Sequence, residues 1–289
     1  FNFVIFRSWN PFFSPMLVTI ARRLKRNNPQ IKLIGLFDNF LPHEAQFYDQ
    51  KFTFSFVSEM NGSIVQSTKV KNELLALCPL AKVMTLFHPL YTKYGKLQPK
   101  IKCKEKLEIN SKFTILFFGL VRKYKGLDIL IESTSILKTI RQDFSVLAVG
   151  EAYDDPNPII NLINELNIND VFRWENKFIP DNEIAQYFSA IDLVVLPYRS
   201  ASQSGIVQIA YHFNKPVIVT NVGGLPEIIE EGKSGVIAPT ENPEKLAELI
   251  SRYLNEAKLS QMSDYISTYK QKYSWESFSS KMLEFVDNL

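Results

Sequence analysis

Four loops in the second half of the chain put glycines beside cations, hydroxyls or a carboxylate: GLVRKYKG at 119–126, Gly150-Glu151, PYRSASQSG at 197–205 and NVGGLPE at 221–227. Each follows a short β-rich run, and three of them lead into a helical pattern. Glycine lets backbone N–H groups approach an oxyanion, a helix N-terminus adds a positive dipole, and Arg or Lys neutralises charge. Gly119, Arg122, Lys125, Ser202, Gln203, Ser204, Gly205, Ile206, Gly223, Gly224 and Glu227 gathered on one rim would suit a di- or triphosphate. GxxxxGK[ST] and GxGxxG are both absent, so this is a phosphate site of another kind. A single glycine at such a turn serves tight packing equally well; the convergence of several carries the reading. Lys125 stands out, because a lysine at a helix start opposes the dipole, which disfavours the alternative of a solvated lysine with a purely structural role. Glu227 in a first helical turn is also ordinary dipole complementarity.

Other chemistries find less support. His43, His88 and His212 lack metal-ligand spacing, Asp154-Asp155 is not an Asp-x-Asp pair, and no Asp-x-Asp occurs, so neither a metal nor another cofactor is expected. Cys78 and Cys103 in 289 residues exclude a disulfide scaffold and fit a reducing compartment. The net charge of +3 is too small to argue for a nucleic-acid surface. Apolar residues make up 46% and charged residues 22%, which excludes a disordered chain, and no apolar run reaches the ~18 residues of a membrane span. Arg7 and Trp9-Asn10-Pro11 interrupt the opening apolar stretch, so no signal peptide is read there. A chain that opens on a buried-strand pattern at Phe3–Phe6 leads us to expect that the front of a domain is missing.

The elements that must position these loops alternate along the chain, the pattern of parallel sheets with crossover helices. In the first third, strands are predicted over 3–6, 31–37, 63–66 and 82–87, with helices over 14–26, 43–60 and 67–77. The second series predicts strands over 114–118, 145–149, 171–174, 193–196, 217–220 and 236–238. Leu127, Leu130, Ile131, Thr134 and Leu137 predict a helix with one apolar face, and Pro180-Asp181 predicts the start of another that buries Ile184 and Phe188. Helices over 243–255, 259–271 and 275–286 end the chain. Periodicity fails between Tyr91 and Asn110, where lysines cluster with Gly95 and Pro99. The expected domains are therefore a partial Rossmann-like one at 1–92, a basic linker at 93–110, a Rossmann-like one at 111–272, and a closing helix at 273–289.

The runs FFGLVRKYKGLDILIES, FSVLAVGE, FIPDNEIAQYFSAIDLVVLPY and SGIVQIAYHFNKPVIVTNVGGLPEIIEEGKSGVIAP resemble the C-terminal domain of the family 4 (group 1) retaining glycosyltransferases. The resemblance is strong over 113–255 and weaker over 3–91. It implies the B-type fold, an α/β architecture of two doubly wound, Rossmann-like parallel-sheet domains facing a cleft, here with an incomplete N-terminal domain. It also implies a nucleotide-sugar donor held by the second domain, and that the closing helix at 273–289 crosses back to the first. Family members pair Gly-Arg with a later Lys-Gly on the donor diphosphate; here Lys125-Gly126 match, Leu120 replaces the Arg, and Arg122 stands two residues on as its substitute. The family's two glutamates, with seven residues between them, fall on Ser202 and Ala210, so both carboxylates are gone. Gly223, Gly224 and Glu227 match the family's glycine pair and downstream Glu. A family His near the reacting sugar falls on Asp38, with His43-Glu44 following.

The resemblance implies a metal-independent, hexosyl-type transferase that moves sugar to a glycan or lipid-linked acceptor with retention of configuration. It suggests a bacterial polysaccharide or glycolipid pathway. Arg122, Lys125 and Asp38 are the expected catalytic groups; Gly119, Ser202 to Ile206, Gly223, Gly224 and Glu227 are the expected donor contacts. The missing carboxylates motivate the alternative of a non-catalytic nucleotide-sugar-binding or scaffold protein. A B-fold nucleotide-sugar epimerase is disfavoured, because the catalytic carboxylates and histidines that chemistry needs are not evident in this sequence. The expected setting is cytoplasmic. The lysine-rich stretch offers a weak contact with the inner membrane face as the alternative to a solvated connector.

Overall fold

The structure, a computed structural model, describes residues 2–8, 10–39 and 48–289. The chain divides into two compact units, Phe1–Pro89 with Tyr273–Leu289, and Leu90–Lys272.

In the first unit, strands β1 (Phe3–Ser8), β2 (Lys32–Phe37), β3 (Gly62–Val65) and β4 (Val83–Thr85) form a parallel sheet in sequence order. Helices α1 (Ser14–Asn27), α2 (Asp49–Val57) and α3 (Thr68–Leu77) make the crossovers. One face buries Leu33, Phe37 and Val65 against Val18, Ala21, Phe56, Val70 and Leu74. The predicted helix over 43–60 is α2 from Asp49 onward; His43 and Glu44 lie outside the described residues.

The second unit opens with α4 (Lys100–Lys106), then alternates β5 (Phe113–Phe118), α5 (Leu127–Ile140), β6 (Phe144–Val149), α6 (Asn157–Glu165), β7 (Phe172–Glu175), α7 (Ile184–Ala190), β8 (Leu193–Leu196), α8 (Gly205–His212), β9 (Val217–Thr220) and β10 (Gly235–Ala238). Helices α9 (Pro243–Tyr253) and α10 (Glu256–Tyr269) complete it. All six strands are parallel, in the order β10-β9-β8-β5-β6-β7. The apolar face predicted for α5 is the observed one: Leu127, Leu130, Ile131, Thr134 and Leu137 are all buried. Strand order reverses between β5 and β8, and in open parallel sheets ligands bind beyond the carboxyl ends at such a switch point.

The last helix, α11 (Trp275–Asp287), belongs to the first unit. Its Val286, with Phe278, Met282 and Phe285, covers Ile34, Ile64 and Leu86 on the sheet's other face. Gly62 has no room for a side chain, because a β-carbon there would stand 2.8 Å from Leu289 Cδ1 and 2.9 Å from Phe285.

Three expectations need correction. The stretch 93–110 is not an open connector: it contains α4, buries Cys103, Leu107 and Ile109, and packs against α7. Its lysines conceal this, since Lys100 pairs with Asp192 and Lys104 donates to the carbonyls of Ser111 and Lys112 at 2.7 and 3.0 Å. Pro180-Asp181 does not open α7, which starts at Ile184 after a turn. The asparagine-rich segment 157–165 forms a helix that its periodicity did not suggest, burying only Ile163 fully.

Candidate functional site

At the switch point β5 ends in Gly119, whose φ of +104° suits glycine. Lys125 and Ile206 close over it: a β-carbon at Gly119 would stand 3.3 Å from Lys125 Nζ and 3.5 Å from Ile206 Cδ1. The loop after β5 and the start of α8, distant in sequence, thus meet at one point.

Lys125 ends a short 3-10 turn, Lys123–Lys125, that Gly126 closes with φ +66°. A β-carbon at Gly126 would fall 2.1 Å from the Pro197 carbonyl oxygen, so only glycine lets the β5–α5 and β8–α8 loops approach this closely. No hydrogen-bond acceptor or carboxylate engages the Lys125 amine among the described residues; it faces the Tyr198 ring, 5.9 Å from its centroid. Burial, and then the charge of Arg122, pull its pKa down to about 8. An ammonium held without a counter-ion at a strand's carboxyl end is a ready anion receptor.

Ser204 caps α8 in extended conformation, its Oγ accepting the Ile206 amide at 3.3 Å. Tyr91 lies against the helix start, where a β-carbon on Gly205 would be 3.1 Å from its ring. The loop after β9 locks on from the other side. A β-carbon on Gly223 (φ +52°) would overlap the Ala201 carbonyl, the Gly224 amide donates to Ser202 O at 3.1 Å, and Thr220 Oγ1 donates to Tyr198 O at 2.5 Å. Glu227 sits half-buried in the 3-10 turn Pro226–Ile228.

Arg199 fastens the β8–α8 loop to the turn that carries Lys125. Its guanidinium donates to both Asp128 oxygens at 2.8 and 2.7 Å, to Lys123 O at 2.9 Å and to Glu241 Oε1 at 2.9 Å, while its amide donates to Tyr124 O at 2.7 Å. With its donors so used, Arg199 acts as a staple rather than a ligand contact. Neither Arg199 nor the aromatics Tyr91 and Tyr198 were picked out from sequence; the dipeptide Tyr198-Arg199 inside PYRSASQSG was the available signal.

Arg122 takes a different position. Its guanidinium lies 3.9 Å over the Tyr153 ring, and its Nε is buried without a hydrogen-bond partner among the described residues. It borders a cavity of about 740 Å³ shared with Lys123, Asp128, Asp154, Asp155 and Leu162. The structure thus gathers Lys125, Gly119, Gly205, Ile206, Ser204 and the Gly223-Gly224 turn, with Arg122 at their flank. Of the positions where the family glutamates fall, Ala210 is wholly buried in the core.

Asp38 lies in the first unit, just past β2, paired with Arg7 at 2.8 Å, while its Oδ1 is buried without a partner among the described residues. His88, read from sequence as a core or surface histidine, stands within electrostatic reach of Asp38 and Arg7; burial lowers its pKa. Its Nδ1 lies 2.6 Å from Pro89 O. Among the described residues no three His, Cys, Asp or Glu come together as metal ligands, and no helix is long and apolar enough to cross a membrane.

With this geometry in place, comparison with known proteins becomes informative. The sequence profile of the family "Glycosyl transferases group 1" matches residues 100–273, more than half of the chain, and the chain belongs to that family. An uncharacterized glycosyltransferase of Methanocaldococcus jannaschii is 30% identical over 162 residues, covering 56% of this chain and 44% of that protein. A D-inositol 3-phosphate glycosyltransferase of Corynebacterium urealyticum is 25% identical over 180 residues, covering 60% and 42%. The chain spans under half the length of these curated relatives. Among solved structures, Anabaena HepE in complex with UDP superposes with a TM-score of 0.81 at 17% identity, over 96% of this chain and 77% of that one. Sucrose-phosphate synthase from Thermosynechococcus elongatus gives 0.75 at 17% identity, over 98% and 73%. These neighbours share the fold, the glycosyltransferase B type with parallel sheets.

Proposed function

We propose that this chain forms the donor-binding domain and part of the acceptor-side domain of a glycosyltransferase that uses a nucleoside-diphosphate sugar. The observation that carries this reading is the Lys125 ammonium, held without a counter-ion over Gly119 at the switch point and beside the start of α8. As the glycosidic bond to the donor breaks, negative charge builds on the terminal phosphate oxygen. Lys125 and the first-turn amides of α8 would meet that charge, with Arg122 adding positive potential from the flank. Removing one such donor typically costs about 2.7–4 kcal/mol of transition-state stabilisation. Transfer of a hexose to a glycan or lipid-linked acceptor with retention, as in family 4, without a metal ion and in the cytoplasm, completes the reading. Asp38, with His88 in its field, is the polar group the acceptor-side domain offers.

UDP is the nucleotide to test first, since the HepE structure holds it. Calorimetry of this chain with UDP, GDP and ADP should show one of them binding and Lys125→Ala losing that binding; equal affinities for parent and variant would overturn the reading. A second reading, a binding protein without turnover, is favoured by Ser202 and the buried Ala210 at the positions of the family's carboxylates. Sugar release or transfer from a bound nucleotide sugar by the whole protein would exclude it.

A further inference from the structure

The segment 90–95, where the chain enters the second unit, is fastened to α8 at both of its ends. Tyr91 stands at the first residue of the helix: a β-carbon on Gly205 would be 3.1 Å from Tyr91 Cε2 and 3.2 Å from its hydroxyl oxygen. Gly95 stands at the last, its carbonyl oxygen 2.6 Å from His212 Nε2. Between them lies the 3-10 turn Thr92–Tyr94, in which Lys93 donates to Asp181 Oδ2 at 2.7 Å. The Tyr94 ring packs on that of Tyr91, centroids 5.9 Å apart, and Leu90 is buried. Tyr91 itself is half-buried, so its hydroxyl is held at the helix start without being sealed in the core. Ile206, the next residue of α8, closes over Gly119 beside Lys125 Nζ, so Tyr91, Gly205 and Lys125 border one place.

That place is short of donors. Ser204 already engages the Ile206 amide through Oγ at 3.3 Å and the Val207 amide through its carbonyl at 3.2 Å. Gly205 is left as the first-turn amide without an acceptor among the described residues. A terminal phosphate carries three strong acceptor oxygens, more than one ammonium and one amide fill. A phenyl ring would serve packing against Gly205 equally well; the hydroxyl there is the additional chemistry. We infer that Tyr91 is a further donor-site residue, its hydroxyl donating to a terminal phosphate oxygen of the nucleotide beside Lys125 and the Gly205 amide. This rests on the reading of the site as a diphosphate receptor. As the bond to the sugar breaks and charge grows on that phosphate, the hydrogen bond strengthens with no proton transferred, so Tyr91 shares in stabilising the leaving group. The anchors at Lys93 and Gly95 hold the ring in position before the donor arrives.

The test is calorimetry of this chain with UDP, GDP and ADP, each beside its monophosphate. For the diphosphate that binds, Tyr91→Phe should weaken affinity about tenfold per folded molecule, the loss of one hydrogen bond to a charged group, and leave the matching monophosphate unchanged. The phenyl ring keeps the packing at Gly205, and thermal unfolding of the variant checks that the fold is kept. Lys125→Ala reports on the underlying reading separately. Tyr91→Phe with the parent's diphosphate affinity, while Lys125→Ala loses it, overturns the inference and leaves that reading standing. Equal loss for diphosphate and monophosphate also overturns the inference, because the hydroxyl then serves the rest of the nucleotide or the fold. Undiminished binding by both variants, or no diphosphate bound by the parent, overturns the inference and the reading together.

Discussion

Raising the pH through 8 is a sharp perturbation of the proposed phosphate site, because it changes the one group on which the proposed function rests. The free amine of Lys125 titrates near 8. A bound diphosphate stabilises the ammonium, so binding above this pH requires uptake of a proton. The protonated fraction falls from about nine-tenths at pH 7 to about one-tenth at pH 9, so UDP affinity should fall about tenfold over that interval. Nucleotide phosphates finish titrating near pH 6 and leave this window clear. Stability should move the other way. The folded-state pKa of about 8 lies below the ordinary 10.5, so the unfolded chain binds more protons between these values and stability rises with pH there. The gain is at most about 3 kcal/mol for a partly exposed group. Calorimetry with UDP at pH 7, 8 and 9 reads the first effect; urea denaturation over pH 8 to 10 reads the second. Lys125→Arg should hold affinity flat across the range, and Lys125→Ala should bind weakly at every pH. A parent whose affinity does not change between pH 7 and 9, or a Lys125→Ala variant that keeps the parent's slope, refutes the reasoning.

Other expectations follow from the same geometry. Arg199→Ala should cost about 1–2 kcal/mol in urea denaturation, by losing the paired bonds to Asp128 and the bond to Lys123 O, since water takes up the exposed carboxylates. It should also weaken UDP binding by freeing the Lys125 turn, and Arg199→Lys should restore little of either, lacking the paired geometry. Gly223→Ala should lower stability by more than about 2 kcal/mol, since its β-carbon would overlap the Ala201 carbonyl at a positive φ. Leu137→Ala, wholly buried on the α5 face and away from the site loops, should cost about 2–5 kcal/mol while leaving UDP affinity per folded molecule unchanged.

What could be read from sequence was whatever is written locally. The α5 face from Leu127 to Leu137 follows a helical repeat, and Lys125-Gly126 and Ser204-Gly205 sit between a strand and a helix, where chain direction alone puts them at a carboxyl end. What escaped depends on residues far apart. Arg199 reaches Asp128 across 71 positions, and His88 enters the field of Asp38 from the segment after β4. Lysines misled twice: those of α4 looked solvated because their partners, such as Asp192, lie in a distant turn, and the alternation of charge with Cys103, Leu107 and Ile109 hid a helix and its flanks. Helix α6 escaped for another reason. Asparagine favours turns over helix interiors, and here the burial of Ile163 overrides that preference.

The seam made by α11 orders events during synthesis. The strands β1 to β4 leave the ribosome before the second unit, yet the face bearing Ile34 and Ile64 stays bare until Phe278, Met282, Phe285 and Val286 emerge, about two hundred residues later. Nascent chains interrupted anywhere in the second unit therefore carry an uncovered apolar sheet, a surface that chaperones recognise and that aggregates. The final turn of α11 is tied in by Lys32, whose amine donates to the carbonyls of Val286 and Asp287, so trimming the helix would loosen the unit whose strands were made well before it.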